Sequence, residues 1–172
     1  VKWLLDYNRV HLVLSTNPDG RTRDEANQNV LWRKNTNNNY CSNSNDRGAD
    51  HNRNYPYGWE YNSYQCDETY AGPSAGSEPE TQAITNYILS VFPDQKGPDP
   101  DDSVNELNAT GMFVDLHSYE RLVLWPWGYT YDTAPNDASL RVMSYKFAYY
   151  NGHRPQKSTE LYPTTGSTDD WT

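Results

Sequence analysis

Apolar residues recur at helical spacing in two stretches of the chain. The first is followed by Pro93, which a helix cannot pass, and its periodic positions are Ala83, Ile84, Tyr87, Ile88, Val91 and Phe92. Just before it, Ser77 and Glu80 have the spacing of a capping box, which predicts the start of this helix. The second helix is predicted from about Asp137 to Asn151-Gly152, with Leu140, Met143 and Phe147 facing inward. A short helix is also predicted to end near residue 8.

Short apolar runs predict three buried strands, at residues 10–14, 112–114 and 122–125. Asn17-Pro18-Asp19-Gly20 follows the first run and is typical of a turn. Strands that alternate with helices predict an α/β sheet. No internal repeat and no domain boundary is visible, so we expect a single domain.

The strand at residues 112–114 leads into His117, at a strand's carboxyl end, where ligands often bind in α/β sheets. Neutral imidazole is the commonest nitrogen ligand for zinc, so His117 is a candidate metal ligand. An ordinary structural histidine is the alternative, and these residues alone favour it.

Composition narrows the classes of partner. The chain has 172 residues, a formal net charge of −9 and a pI near 4.8, which argues against binding a nucleic-acid backbone. No apolar run approaches the ~18 residues of a membrane span. The oligomeric state is open. The apolar start of the chain predicts a piece of a longer polypeptide, so a missing signal peptide carries no information about location.

Residues 21–70 show little periodicity and are rich in Asn, Asp, Ser, Gly and Tyr, which is typical of a long functional loop. Cys41 and Cys66 lie in it. A disulfide between them indicates an oxidising compartment, and two free thiols are the alternative.

Polar groups that suit carboxylate binding occur at three places. Arg33 lies in a polar loop, Asp50 is closely followed by Asn52 and Arg53, and Tyr162 lies on a loop with Pro163 and Gly166. An arginine fork with a neighbouring amide fits bidentate capture of a carboxylate. A solvated charge, a simple turn and an ordinary aromatic residue are the alternatives when each is taken alone.

Taken in order, these motifs resemble the zinc metallocarboxypeptidases of the A, B and T types, peptidase family M14. The ordered set comprises Asn17-Pro18-Asp19-Gly20, Trp32-Arg33-Lys34, Asp50-x-Asn52-Arg53-Asn54, Ser77-Glu78-Pro79-Glu80, His117-Ser118-Tyr119, Pro126-Trp127-Gly128-Tyr129, Tyr162 and Asp170-Trp171. The resemblance implies a mixed, twisted sheet with helices on both faces, Zn²⁺ as cofactor, and peptide or protein C-termini as substrates.

The resemblance also implies a role for each matching residue. His117 corresponds to a zinc ligand, Asp50 to the carboxylate that orients a histidine ligand, and Arg33 to the arginine that stabilises the oxyanion. Substrate-binding roles are implied for Asn52 and Arg53 at the terminal carboxylate, Tyr162 over the bound residue, and Tyr119 before the scissile bond. It further implies a Cys41–Cys66 disulfide, a cis Ser118–Tyr119 peptide bond and a secreted or periplasmic protein.

Two parts of the family's machinery have no match in these residues. They are the upstream His-x-x-Glu zinc motif and the downstream general-base glutamate. We therefore expect residues 1–172 to be the central part of one carboxypeptidase domain, which by itself binds zinc weakly and is inactive. A catalytic zinc site needs three protein ligands.

Asp169 precedes Asp170-Trp171, where the resemblance places the base of the pocket for the C-terminal side chain. A buried carboxylate there needs a cation as partner, which predicts a preference for C-terminal Lys or Arg, or dual specificity as in T-type enzymes. The alternative is that Asp169 caps a helix that begins at Asp170 or Trp171.

Two other functions remain open. A non-catalytic module could bind peptide C-termini with the same fold. An acylase-type hydrolase acting on small amino-acid conjugates is the third hypothesis, which the Asn52-Arg53 pair and Tyr162 disfavour.

Overall fold

A computed structural model describes residues 2–26, 31–96, 107 and 109–172. In these residues the helices are α1 (Lys2–Tyr7), α2 (Pro18–Ala26), α3 (Pro79–Val91), α4 (Asp137–Asn151) and α5 (Thr168–Trp171). The strands are β1 (Leu122–Trp125) and β2 (Arg154–Lys157), and single 3-10 turns occupy His51–Arg53 and Ser158–Glu160.

Strands β1 and β2 pair in parallel, with Leu122 opposite Arg154 and Trp125 opposite Lys157. Helix α4 connects them and packs against both, as a crossover between parallel strands must. Gly152 ends α4 in the left-handed conformation, at φ 70°. This β1–α4–β2 unit confirms the predicted α/β class and the bounds of the predicted second helix. The inward position predicted for Phe147 is wrong, because its side chain is exposed and the buried residues of α4 are Ser144 and Ala148.

The predicted helix before Pro93 is confirmed as α3, but its predicted capping box is wrong. The cap position is Glu78, without a side-chain cap bond, and Pro79 takes the first turn, where a missing N–H costs nothing. Ser77 donates instead to the Glu78 carboxylate, with Oγ and Oε1 2.7 Å apart. The hydroxyl is therefore used by a tertiary network.

Two of the predicted strands do not form. Residues 10–14 and 112–114 are irregular, and most of their apolar side chains are exposed. A strand needs a hydrogen-bonded neighbour, and in the described residues the only ladder is β1–β2. Conversely, the polar strand β2 was not predicted, because it is defined by pairing and has no apolar run of its own.

The predicted turn at residues 17–20 is in fact the start of α2. Asn17 Oδ1 accepts the Gly20 amide at 2.9 Å, and the Asn17 carbonyl accepts the Arg21 amide at 3.0 Å. An asparagine cap followed by proline favours a helix start as much as a turn.

The long loop is held by polar contacts and by the Cys41–Cys66 disulfide, whose Cα atoms are 5.0 Å apart. The disulfide is confirmed, and so is the cis Ser118–Tyr119 bond; Pro126–Trp127 is also cis.

Several of the most deeply buried side chains are polar: Asn35, Asn54, Glu78, Thr81, Ser167 and Asp170. Within the described part of the chain, no helix has the length and apolarity to cross a membrane.

Candidate active site

Asp50 is the centre of the first half of the site. Its carboxylate is 3% exposed and accepts Arg33 Nε at 2.7 Å and the Asn52 amide at 3.0 Å. Burial works to lower the pKa of Arg33, but the charge and hydrogen bond of Asp50 outweigh it and the pKa is raised. Arg33 is thus a fixed, permanently charged donor. The predicted contact of Asp50 with a histidine ligand stays a prediction, since in the described residues its side chain contacts this arginine and amide.

Asn52 connects the His51–Arg53 turn to α5. Its Oδ1 accepts the Thr168 amide at 2.9 Å and the Thr168 hydroxyl at 3.2 Å. Because the oxygen end of the side chain is occupied, the NH₂ end is the one left for a ligand.

Arg53 is only 8% exposed, and in the described part of the chain no carboxylate forms an ion pair with it. Its one side-chain hydrogen bond within the described residues runs from Nη1 to the Asn52 carbonyl, at 2.5 Å. Gly166, at φ +62°, lies so close that a Cβ on it would be 2.3 Å from the Arg53 carbonyl oxygen. The result is a buried arginine without a counter-charge in the described residues, held by the backbone carbonyl of Asn52.

His117 lies close to these groups. Its Nε2 is 3.1 Å from Asp115 Oδ2, which also accepts the Thr168 hydroxyl. The hydrogen bond with Asp115 raises the pKa of His117, whereas burial and Arg33 act to lower it. Burial acts to raise the pKa of Asp115, but His117, the Thr168 hydroxyl and the Leu116 amide together outweigh it and the pKa is lowered. Thr168 thereby connects the His117 segment to Asn52.

Asp169 lies within α5, so the alternative of a cap for a later helix is wrong. The helix begins at Thr168, with Ser167 as cap. The Ser158 hydroxyl donates to Asp169 Oδ2 at 2.8 Å. This bond fixes the carboxylate, and Asp169 is near enough to His117 to raise its pKa.

Asp170 fixes the turn that follows β1. Its two oxygens accept the Gly128 amide at 2.7 Å and the Tyr129 amide at 2.9 Å. Burial, together with the neighbouring Asp169, raises the pKa of Asp170 to about 6 despite these two bonds.

The two predicted tyrosines lie at the surface. Tyr162 is half exposed, on the loop after the Ser158–Glu160 turn, and close enough to Arg33 to influence its pKa. Tyr119 is 83% exposed and follows the cis bond. The described residues therefore bring Arg33, Asp50, Asn52, Arg53, His117, Tyr162 and Asp169 into one region, whereas Tyr119 makes no contact that ties it to them.

Sequence reasoning missed Asp115, Thr168 and the role of Asp170. Nothing in the sequence pattern marks Thr168, because its role is to connect two distant residues. Asp115 lies 53 positions before it and Asn52 lies 116 positions before it. Asp115 stood two residues before a candidate ligand, and that spacing was a usable signal.

The residues described do not fit a zinc site on their own. No group of three or more His, Cys, Asp or Glu side chains among them could hold a metal ion. His117 is one candidate ligand where catalytic zinc needs three.

Comparison with known proteins decides the family. The family model of the zinc carboxypeptidases matches residues 1–172. The chain belongs to the zinc carboxypeptidase family. This confirms the resemblance inferred from the ordered motifs.

Individual relatives agree with this assignment. The chain is 30% identical to carboxypeptidase B of Canis lupus familiaris over 159 residues, 84% of this chain and 33% of the relative. It is 32% identical to mast cell carboxypeptidase A of Mus musculus over 98% of this chain and 38% of the relative. A metallocarboxypeptidase A-like protein of Trichophyton verrucosum is 40% identical over 77% of this chain and 28% of the relative. The chain thus spans about a third of the length of these relatives.

Solved structures confirm the carboxypeptidase fold of this chain. Carboxypeptidase A from Helicoverpa armigera matches 99% of this chain with a TM-score of 0.74 and 22% identity, over 42% of its own length. Bovine thrombin-activatable fibrinolysis inhibitor, in complex with tick carboxypeptidase inhibitor, matches 91% of this chain with a TM-score of 0.69 and 23% identity, over 51% of its length.

Proposed function

We propose that the protein is a zinc-dependent metallocarboxypeptidase that hydrolyses the C-terminal peptide bond of peptides and proteins. Residues 1–172 are then the central part of its single catalytic domain. The observation that carries the proposal is Arg53, a buried guanidinium without a carboxylate partner in the described residues. An unpaired buried charge is costly, and a ligand carboxylate is the partner it lacks.

The clamp combines Arg53 with Asn52. Thr168 occupies the Asn52 oxygen, so the amide NH₂ is oriented as a donor. A charged fork and a neutral donor together recognise a free carboxylate and fix the register of the chain end. Peptide C-termini are the partners that present such a group.

Arg33 acts at the reacting carbonyl in this proposal. Asp50 holds its Nε, which leaves the terminal nitrogens as donors for charge that develops on the carbonyl oxygen. Tyr162 covers the bound terminal residue, and the exposed Tyr119 contacts the residue before the scissile bond.

Zn²⁺ is the proposed cofactor, with His117 as one ligand and Asp50 as the carboxylate that orients another. When bound, zinc would activate water and polarise the carbonyl. The family assignment and the imidazole of His117 support this cofactor. The described residues do not supply the remaining ligands.

Asp169 is the proposed specificity residue, favouring C-terminal Lys or Arg alone or as part of a dual specificity. The Ser158 hydroxyl fixes its carboxylate. Asp169 directly follows Thr168, which is hydrogen-bonded to Asn52 of the clamp. Carboxypeptidases of the B type are among the relatives.

The disulfide supports a secreted or periplasmic location, since such bonds persist in oxidising compartments.

The test uses the protein as encoded by its gene, with peptides ending in Arg, in Leu, and in Arg-amide. Hydrolysis of the free acids but not of the amide is expected. Asp169→Ala should lower the ratio of kcat/KM for Arg over Leu at least tenfold, whereas the exposed Asp132→Ala leaves it unchanged. Binding of the free acids without any cleavage would favour the non-catalytic module, and an unchanged ratio would remove Asp169 as the specificity residue.

A further inference from the structure

Glu78 is a fully buried carboxylate that the proposed chemistry does not use. Its exposed fraction is 0%. Oε2 accepts the side-chain amides of Asn35 at 2.7 Å and Asn37 at 3.1 Å. Oε1 accepts the hydroxyls of Tyr40 at 3.0 Å and Ser77 at 2.7 Å. In the described part of the chain no cation forms an ion pair with it, so four neutral donors satisfy the group.

One branch of this network leads to Arg33. Asn35 is two residues further along the chain and is itself almost fully buried. Its Oδ1 accepts the Ala49 amide at 2.9 Å, and its backbone amide donates to the Ala49 carbonyl at 2.9 Å. Ala49 directly precedes Asp50, the residue that holds Arg33. The orientation of the Asn35 amide, fixed by Glu78, therefore sets the spacing of the Arg33 and Asp50 segments.

The other branch leads to the clamp. The Glu78 amide donates to Asn54 Oδ1 at 3.1 Å, and Asn54 directly follows Arg53. Asn54 Nδ2 donates to the Ala71 carbonyl at 2.7 Å and to Ser77 Oγ at 3.0 Å. Asn54 is fully buried, so these bonds have no competition from water.

We propose that Glu78 is a positioning residue for carboxylate recognition, which fixes the Arg33 segment relative to Asn52 and Arg53. This inference rests on the proposed function. The segments that it joins, residues 33–37, 49–54 and 71–78, share no sheet ladder. Isolated backbone hydrogen bonds link them, from Asn35 to Ala49 at 2.9 Å and from Gly76 to Asn54 at 2.7 Å, so the side-chain network adds to a sparse backbone connection. A buried carboxylate strongly resists losing a donor, which makes the arrangement rigid.

The test is Glu78→Gln in the protein as encoded. Glutamine keeps the shape of the side chain but removes its charge and turns one acceptor oxygen into an NH₂ group. It therefore cannot accept the four bonds of Asn35, Asn37, Tyr40 and Ser77 at the same time, even if the two hydroxyls rotate. Binding of N-acetyl-arginine and of N-acetyl-argininamide is measured by calorimetry well below the melting temperature. The wild type should bind the free acid more tightly than the amide. In the variant the ratio of the two dissociation constants should fall about tenfold, since the loss of one buried hydrogen bond changes an affinity by about that factor.

Thr81→Val is the matched control, because Thr81 is almost as buried, lies in the first turn of the helix that follows Glu78 and makes no bond in the network. It should leave the acid-to-amide preference unchanged even if it alters the melting temperature. A Glu78→Gln protein that keeps the wild-type preference would overturn the inference and leave the proposed function intact. A wild type without preference for the free acid would overturn the proposed function and this inference with it.

Tyr40→Phe provides a milder variant in case Glu78→Gln does not fold. It removes a single donor to Oε1 at a side chain that is only partly buried. A two- to threefold loss of the preference for the free acid is expected. An unchanged preference would contradict the role of Glu78.

Discussion

At the scale of single residues, Asp170 shows how burial and hydrogen bonds compete. Two backbone amides favour its charged form, but burial and the neighbouring Asp169 prevail and raise the pKa to about 6. An unfolded aspartate has a pKa near 3.9, so the folded state holds the proton more tightly. The resulting stabilisation is fully present below about pH 4 and is lost as the pH rises through 6.

The corresponding experiment compares the wild type with Asp170→Asn, which cannot titrate. The free energy of unfolding of the wild type, relative to the variant, should be about 2 kcal/mol larger at pH 4.5 than at pH 7.5. Urea unfolding followed by tryptophan fluorescence measures it. Asp132→Asn, at an exposed carboxyl, is the control. Parallel pH curves for wild type and Asp170→Asn would show that burial does not perturb this group.

Gly166 is a residue whose identity is set by close approach as well as by conformation. It shares φ +62° with Gly76, but a Cβ on Gly166 would meet the Arg53 carbonyl at 2.3 Å, whereas nothing lies within 4 Å at Gly76. Gly76→Ala should cost about 1 kcal/mol, the usual penalty for this conformation. Gly166→Ala should cost clearly more and also raise KM, because Arg53 must move. Equal losses of stability and equal KM values would contradict this account.

At the scale of elements, the β1–α4–β2 unit and the long loop are stabilised in different ways. The unit is held by a backbone ladder and helix packing. The loop relies on side-chain bonds and on one disulfide, which spans 25 positions. Loss of the disulfide should therefore affect the loop more than the unit.

Cys41→Ala/Cys66→Ala should lower the free energy of unfolding by about 3.5 kcal/mol in the chain-entropy account of a loop of this length. Urea unfolding of the double variant measures the loss. Reduction of the wild type should produce a similar loss and should not change the double variant. A loss below about 1 kcal/mol would mean that polar contacts such as those of Asn35 hold the loop alone.

At the scale of the whole molecule, the described residues supply the proposed carboxylate clamp, Asn52 and Arg53, and one candidate zinc ligand, His117. Calorimetric titration of the 172-residue chain with Zn²⁺ should show no site tighter than micromolar, because three protein ligands are needed. In the protein as encoded, His117→Ala should weaken zinc binding at least a hundredfold, whereas His153→Ala, at a half-buried histidine just before β2, should not. Sub-micromolar binding by the chain itself would contradict the assignment of ligands.

The sequence by itself determined the features that depend on local pattern or on ordered motifs. Helices α3 and α4 follow from their apolar spacing and from Pro93 and Gly152, and the family follows from motifs that occur in order along the chain. The disulfide and the cis Ser118–Tyr119 bond came with that resemblance. These features need no knowledge of which distant segments meet.

Only the tertiary structure decided the contacts between distant segments. An apolar run is not yet a strand, because the ladder needs a neighbour: residues 10–14 have none among the described residues, whereas polar β2 pairs with β1. Thr168 became part of the site because folding brings Asn52 and Asp115 to it. Ser77 likewise does not form the predicted capping box with Glu80, because its hydroxyl donates to Glu78, which also accepts from three donors of the loop. A hydrogen bond forms with whatever group folding places within reach, and one sequence without its fold does not specify that group.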